Sequence, residues 1–161
     1  MLHLKPTHYF LCAGSSEGTT PLNAFDGSLL AAGVGNLNLI KLSSILPPGL
    51  VQSEAKRFDL GSYLPIAYGS ITSNTPQEVI SAAVAVAVPE DADKNGVIME
   101  YSALGHKEDA ERIVRAMAEE AMTMRGYAVK EILSIACQHR VVHVGAAFAA
   151  VALYPESLVR P

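Results

Sequence analysis

Two adjacent serines, Ser43 and Ser44, end an otherwise apolar segment shortly before the rigid pair Pro47-Pro48. A serine hydroxyl is a nucleophile when a base accepts its proton, and proline cannot continue a hydrogen-bonded strand. By themselves, two such serines are more typical of an ordinary strand end. The segment therefore supplies a candidate nucleophile, and the rest of the sequence must indicate its reaction.

Two carboxylates occupy unusual positions. Glu100 lies within the apolar run 96–102, where burying a charge is costly unless a partner is present. Such a residue suits a proton donor, and the alternative is a glutamate that is paired or lies on an edge strand. Asp26 lies in the middle of a predicted helix next to Gly27, and both residues weaken a helix there. Asp26 is therefore either a solvated helix residue or a partner for a cation.

The remaining motifs predict turns, core or strands. The loop 14–18 lacks the Lys-Ser/Thr of a phosphate-binding loop. His139 and His143 have the spacing of helical metal ligands, but the residues between them favour a strand, so no metal is predicted. Cys12 and Cys137 form no CxxC pair, which favours free thiols in a reducing cytoplasm.

The composition predicts one domain of 161 residues, half of them apolar and 17% charged, with a net charge of -4. A core can form without disulfide or metal, and no basic run is available for a nucleic-acid backbone. The apolar runs at 79–88 and 144–154 are shorter than the roughly 20 residues of a membrane-spanning helix. We therefore expect a cytoplasmic protein that binds neither nucleic acid nor membrane.

Hydrophobic periodicity and turn residues predict strands and two helices. Thr20 and Pro21 begin the first helix as N-cap and first helical residue, and it ends at Gly33. Helical spacing of apolar residues from 108 to 125 predicts the second helix. The segment 14–19 is predicted as a loop. Strands are predicted at 9–13, 37–46, 63–72, 79–88, 96–102, 129–137 and 144–154.

The predicted strand at 79–88 has two different faces. Branched side chains point to one side, and a nearly smooth row that includes Ala83 and Ala85 points to the other. A smooth surface lets another sheet or subunit approach closely, and residues 145–150 offer similar material. We expect an α+β fold, a four-layer αββα sandwich of two mostly antiparallel sheets with helices outside. The smooth surfaces are equally compatible with an oligomer and with tight packing inside a monomer.

Several segments extend the serine motif into a specific pattern that covers nearly the whole chain. They are Gly14-Ser15-Ser16-Glu17-Gly18, Thr20-Pro21-Leu22-Asn23-Ala24-Phe25-Asp26-Gly27, Gly33-Val34-Gly35-Asn36-Leu37-Asn38-Leu39-Ile40, Leu42-Ser43-Ser44-Ile45-Leu46-Pro47-Pro48, Ala67-Tyr68-Gly69, Ile80-Ser81-Ala82-Ala83, Ile98-Met99-Glu100-Tyr101 and Gly145-Ala146-Ala147-Phe148-Ala149. Together these segments strongly resemble the pyruvoyl-dependent arginine decarboxylases.

The resemblance implies a proenzyme that cleaves itself between Ser43 and Ser44, giving residues 1–43 and 44–161. The Ser44 hydroxyl would attack the Ser43 carbonyl, and elimination and hydrolysis would leave a pyruvoyl group in place of Ser44. Such a ketone takes up the electron pair left when CO2 departs from an amino acid, so neither pyridoxal phosphate nor a metal is implied. The implied reaction is the conversion of L-arginine to agmatine and CO2.

The resemblance also implies roles for other residues. Glu100 would be the proton donor and Asp26 the guanidinium partner. Leu29 would line the pocket, and Asn38 would donate a hydrogen bond near the cleavage site. Six residues of extended strand span roughly 20 Å, so Asn38 cannot easily reach Ser44 along one continuous strand. Either the strand bends or the site lies between subunits.

We therefore expect a homo-oligomer, a trimer of cleaved protomers or a dimer of trimers, with L-arginine as its small-molecule partner. Two alternatives stay open. The first is a pyruvoyl-dependent decarboxylase of another amino acid, because one carboxylate on the first helix does not fix substrate length. The second is a non-catalytic αβ binding module whose Ser43–Ser44 bond stays intact.

Overall fold

The computed structural model describes residues 5–160, so residues 1–4 and 161 of the predicted domain lie outside the description. In that range the helices are α1 (Pro21–Ala31) and α2 (Lys107–Met124), and a short 3₁₀ turn, Glu156–Leu158, follows the last strand. The strands are β1 (His8–Glu17), β2 (Asn38–Lys41), β3 (Ile45–Leu46), β4 (Val51–Gln52), β5 (Tyr63–Ser73), β6 (Val79–Pro89), β7 (Gly96–Leu104), β8 (Val129–Arg140) and β9 (Gly145–Tyr154).

The strands form two sheets. One has the strand order β2-β5-β9-β1-β4 and the other has the order β3-β7-β6-β8. Every pair in the second sheet is antiparallel. In the first sheet, β2 and β4 add parallel edges to an antiparallel centre. The prediction of two mostly antiparallel sheets is confirmed.

The two sheets pack face to face between the helices. Val84 and Val86 of β6 share a buried core with Ala149 and Val151 of β9. α1 covers the outer face of the five-stranded sheet, and α2 covers the outer face of the four-stranded sheet. The expected four-layer αββα sandwich is therefore confirmed. Within residues 5–160, neither helix is long and apolar enough to cross a membrane.

The smooth face of β6 packs against α2. Ala83 and Ala85 lie in one buried cluster with Val114 and Ala118 of that helix. The branched face of β6 meets the other sheet instead. On β6 the smooth face therefore receives a helix of the same chain rather than a sheet or a subunit, because these small side chains let the helix backbone approach. Of the similar residues in β9, Ala147 and Ala149 do face the other sheet.

β1 continues through Glu17, although the segment 14–17 was predicted as part of a loop. A Cβ atom on Gly14 would lie 2.5 Å from the backbone nitrogen of Ala32, just after α1. Gly14 therefore permits a close approach of α1 to the strand, and it does not mark a turn.

The helix boundaries follow the predicted signals. The Thr20 side chain caps α1 by accepting a hydrogen bond from the Asn23 backbone N–H at 3.2 Å. Gly33 follows α1 with a φ of 83°, and Gly126 follows α2 with a φ of 67°. Both glycines supply the left-handed backbone that commonly ends a helix.

The predicted strand at 37–46 is broken in two. β2 pairs with β5 in the five-stranded sheet, whereas β3 pairs with β7 in the four-stranded sheet. Residues 42–44 therefore carry the chain from one sheet to the other. The prediction of a single strand at 37–46 is wrong. Both halves are apolar and look like one strand in the sequence, but they pair with distant strands that belong to different sheets. We call residues 42–44 the crossover.

Candidate active site

The crossover is held by one sheet on each side. The Leu42 backbone N–H donates to the Ile66 carbonyl on β5 at 2.9 Å. The Ser44 carbonyl accepts a hydrogen bond of 2.9 Å from the Ile98 N–H on β7. The Ser43–Ser44 peptide is thus fixed between the two sheets, at the edge formed by β2 and β3.

Ser44 has a left-handed backbone, with a φ of 72°. This conformation is uncommon for a residue with a side chain, and it persists only where the surrounding structure enforces it. Here the enforcement comes from the two sheets that hold the crossover. Backbone strain at this position therefore coincides with the peptide bond that the sequence motif singles out.

The Ser44 hydroxyl donates a hydrogen bond to Glu100 Oε1 over 2.6 Å. The two residues are 56 positions apart, and both are half-buried. Glu100 faces the crossover because alternate residues of β7 share a face, and Ile98 on that face belongs to the core between the sheets. A carboxylate in this position can accept the hydroxyl proton, which makes Ser44 a nucleophile with an adjacent base.

Glu100 lies in an open groove between β5 and β7. Gly69 lies opposite Glu100 in this groove, and a Cβ atom added to Gly69 would lie 3.3 Å from the Glu100 Cβ. The groove is polar and open to solvent, so a polar substrate can reach Glu100. Its lining residues are Lys41, Tyr68, Gly69, Ser70, Glu100, Tyr101 and Ser102.

A second, apolar groove borders the crossover through Leu42, Ser43 and Ile45. Its volume is about 330 Å³. The other lining residues are Pro6, Pro47, Pro65, Leu153, Pro155 and Leu158. Ser43 of the crossover therefore lines the apolar groove, and Ser44 contacts Glu100, which lines the polar groove.

Of the residues singled out from the sequence, Ser43, Ser44 and Glu100 are brought together. Asp26 is exposed on α1, outside the five-stranded sheet. Leu29 is buried beneath α1, in the core against that sheet. Hydrogen bonds among residues 5–160 do not join Asp26 to Ser44 or Glu100.

Asn38 begins β2, and its Nδ2 donates to the Gly61 carbonyl at 2.7 Å. The chain does bend after β2, which was one of the two ways in which Asn38 was expected to come near Ser44. The bend nevertheless leaves the Asn38 amide bonded to Gly61 within its own chain. The Asn38 amide therefore makes no hydrogen bond to Ser43 or Ser44 within residues 5–160.

Lys41 and the Ile98 amide are site groups that sequence reasoning missed. Lys41 Nζ lies 4.4 Å from the centroid of the Tyr68 ring. A lysine two residues before the serine pair, in an otherwise apolar segment, is a signal that could have identified it. The Ile98 contribution is a backbone N–H, for which a side-chain pattern carries no signal.

His139 is held by Glu17. Its Nε2 lies 2.6 Å from Glu17 Oε1, and the same carboxylate accepts three backbone N–H groups from residues 142–144. Desolvation opposes the charged carboxylate, but these hydrogen bonds outweigh it and lower the pKa of Glu17 to about 2. The Glu17 carboxylate therefore fastens the β8–β9 turn.

Comparison with known proteins places this geometry in a family. Residues 8–155 match the family model described as pyruvoyl-dependent arginine decarboxylase. The chain is 50% identical over 149 residues to the pyruvoyl-dependent arginine decarboxylase of Methanocaldococcus jannaschii, covering 92% of this chain and 90% of that protein. It is 40% identical over 153 residues to the protein of the same name from Pyrococcus abyssi, covering 93% and 96% of the two chains.

A solved pyruvoyl-dependent histidine decarboxylase overlaps part of the fold, with a TM-score of 0.49 and 16% identity over 58% of this chain and 51% of that one. The assignment rests on the family model and the full-length relatives, which span nearly all of the described elements. The chain therefore belongs to the pyruvoyl-dependent arginine decarboxylase family.

Proposed function

We propose that this chain converts L-arginine to agmatine and CO2, using a pyruvoyl group that it makes by cutting itself between Ser43 and Ser44. The observation that carries the proposal is the hydrogen bond of 2.6 Å from the Ser44 hydroxyl to Glu100, made at a residue with a φ of 72°. This contact joins a nucleophile, a base and a strained peptide at one point.

Self-cleavage begins with attack of Ser44 Oγ on the Ser43 carbonyl carbon. Glu100 accepts the hydroxyl proton, and a proton returns to the Ser44 nitrogen as its bond to the Ser43 carbon breaks. The product is an ester between Ser43 and Ser44 Oγ. Loss of the Ser44 Cα proton and rupture of the Cβ–Oγ bond then free the Ser43 carboxylate, and water converts residue 44 to the ketone with release of ammonia.

The surroundings of residue 44 fit a pyruvoyl group. After cleavage, residue 44 remains attached to β3, which pairs with β7 through Ile45 and Val97. The Ile98 N–H still has the residue 44 carbonyl as its acceptor, which keeps the new chain end oriented. When present, the group supplies the electron sink for decarboxylation.

Glu100 then serves the decarboxylation as proton donor. It lies beside residue 44 and in the open groove, so its proton can be delivered to the substrate α-carbon. Asp26 is proposed to hold the guanidinium through two parallel hydrogen bonds, and Leu29 to line the substrate pocket. Asn38 is proposed to donate a hydrogen bond near the cleavage site.

We propose that the active form is a homo-oligomer, a trimer or a dimer of trimers, with each site between subunits. β2 pairs with β5 only as far as Ile66, and β3 pairs with β7 only at Val97 and Gly96. Among the described residues, the remaining edges of β5 and β7 therefore lie open beside Glu100. Strand edges of this kind accept another chain, which can bring a second copy of Asp26 and Asn38 near the groove.

A cytoplasmic location is proposed on the basis of the two cysteines. Cys12 and Cys137 are free thiols, which suits a reducing compartment. The acidic net charge of -4 also argues against a nucleic-acid partner.

The proposed activity is tested by incubating the purified protein with arginine in the absence of pyridoxal phosphate and measuring agmatine and CO2. Lysine, ornithine and histidine serve as matched amino acids with other cationic ends. The proposal expects agmatine and much slower turnover of the other three. A cleaved protein that turns over one of those amino acids in preference to arginine would support the alternative substrate.

A further inference from the structure

Self-cleavage creates a negative charge that the residues described so far do not neutralise. The Ser43 carboxyl group leaves Ser44 Oγ as a carboxylate, while Glu100, the carboxylate that Ser44 contacts within residues 5–160, has the same sign of charge. We propose that Lys41 is the cation that receives this carboxylate and thereby speeds the elimination step. The inference rests on the proposed function, because it presupposes cleavage between Ser43 and Ser44.

Lys41 is placed within reach of the released group. It is the last residue of β2 and stands two residues before Ser43, so their Cα atoms are at most roughly 7 Å apart. Its side chain lines the same groove as Glu100. A lysine side chain is long enough to cover that separation, and its single terminal charge can follow a group that moves.

The Lys41 ammonium is also available for a new partner. In the described residues, the ion pairs within 4.0 Å do not involve Lys41. Its close contact is the face of the Tyr68 ring, 4.4 Å away. A ring face holds an ammonium weakly at an exposed site, so a carboxylate can displace it. Tyr68 thus holds the Lys41 ammonium next to the crossover before cleavage.

The charge balance of the elimination identifies the step that Lys41 assists. A base removes the Ser44 Cα proton, the electron pair forms the Cα–Cβ double bond, and the Cβ–Oγ bond breaks. Both ester oxygens leave with Ser43 as a carboxylate, so negative charge develops on the leaving group. A nearby ammonium stabilises that charge without transferring a proton. The preceding acyl shift begins and ends without a Ser43 carboxylate and depends on Lys41 less.

The test follows newly synthesised full-length chain of wild type, Lys41→Met, Lys41→Arg and Lys94→Met. Lys94 is the matched control because its Nζ also lies over an aromatic ring, 5.7 Å from the centroid of Tyr127, and outside the groove of Glu100. Samples are treated briefly with hydroxylamine near neutral pH, which cleaves esters much faster than amides, and are then measured by denaturing mass spectrometry. The assay separates intact amide, ester and finished fragments.

For Lys41→Met we expect fragments to form roughly 10-fold or more slowly, with accumulation of a chain that hydroxylamine cuts between Ser43 and Ser44. Lys41→Arg and Lys94→Met should mature as wild type does, which distinguishes the charge from a general effect on folding. Wild-type maturation of Lys41→Met, or its accumulation as a hydroxylamine-resistant amide, would overturn the role of Lys41. A wild-type chain that stays intact and hydroxylamine-resistant would instead refute self-cleavage itself, and this inference with it.

Discussion

Replacing Glu100 by Gln should slow self-cleavage and decarboxylation to very different extents. The variant keeps the size of the side chain and an oxygen that can accept from the Ser44 hydroxyl. It loses the negative charge that shortens that contact to 2.6 Å and the proton that the substrate α-carbon requires. Cleavage depends on the negative charge next to the Ser44 hydroxyl, and decarboxylation depends on the transferable proton.

The size of each effect follows from the contact. A hydrogen bond to a charged group contributes about 1.5–3 kcal/mol and a neutral one about 0.5–1.5 kcal/mol, so the difference is about 1–1.5 kcal/mol. That difference alone slows attack by Ser44 roughly 10-fold, and the effect is larger where water, which replaces the lost base, accepts the hydroxyl proton less well. Loss of a positioned general acid lowers decarboxylation by roughly 10²–10⁴-fold. Glu100→Gln should therefore still form the two fragments, late but completely, and have little activity.

The assay measures fragment formation over time by denaturing mass spectrometry and then agmatine production by the fully cleaved protein. Glu78→Gln is the matched control, because Glu78 also accepts a hydrogen bond from a serine hydroxyl, that of Ser73, away from the crossover. The control should mature and turn over arginine as wild type does. Wild-type decarboxylation by Glu100→Gln would refute its role as the acid. If Glu100→Gln never cleaves, the role of Glu100 that this experiment supports is in self-cleavage and not in decarboxylation.

Three further substitutions test other parts of the account. Asp26→Asn should leave cleavage intact but lower kcat/KM for arginine by about 2–4 kcal/mol, roughly 30- to 1,000-fold, because a charge-assisted pair with the guanidinium is lost. Gly69→Ala should lower agmatine production roughly 3- to 10-fold with the fold retained, because its Cβ would lie 3.3 Å from the Glu100 Cβ and displace the carboxylate. Glu17→Gln should lower the Tm at pH 7 by about 2–6 °C, measured by calorimetry, because the β8–β9 turn loses its anionic acceptor.

The pH dependence of the last effect has a definite sign. The pKa of Glu17 is lowered by folding, so its carboxylate contributes fully above the ordinary value of 4.5, and the contribution is lost as the pH falls towards about 2. The difference in Tm between wild type and Glu17→Gln should shrink across that window. A difference that stays constant would contradict the assignment.

Unchanged arginine kinetics for Asp26→Asn, or for Gly69→Ala, would remove those residues from the site.

The sequence was sufficient for the layers of this fold because its signals were local. Thr20 and Pro21 mark the start of α1, and the helical spacing after residue 107 marks α2. The strand in 14–17 was missed because a glycine that permits close approach to α1 looks the same as a glycine in a turn. The break in 37–46 was missed because it depends on which distant strand each half joins.

The site shows the same division. Ser44 and Glu100 could be named from the sequence, but their contact follows from the stacking of two sheets and joins residues 56 positions apart. The φ of 72° at Ser44 also arises from the crossover between sheets, so the sequence alone carried no sign of it. Lys41 was overlooked because its importance depends on facing the groove of Glu100 rather than the solvent around an edge strand.

The central claim is that the strained crossover cuts itself between Ser43 and Ser44, and denaturing mass measurement of the purified folded protein tests it most directly. We predict two fragments, residues 1–43 with a free carboxylate and residues 44–161 with a pyruvoyl group in place of an amino terminus. Ser44→Ala should remain one chain, because the attacking hydroxyl is gone. A folded wild-type chain that persists as a single species of 161 residues with serine at position 44 would contradict the account.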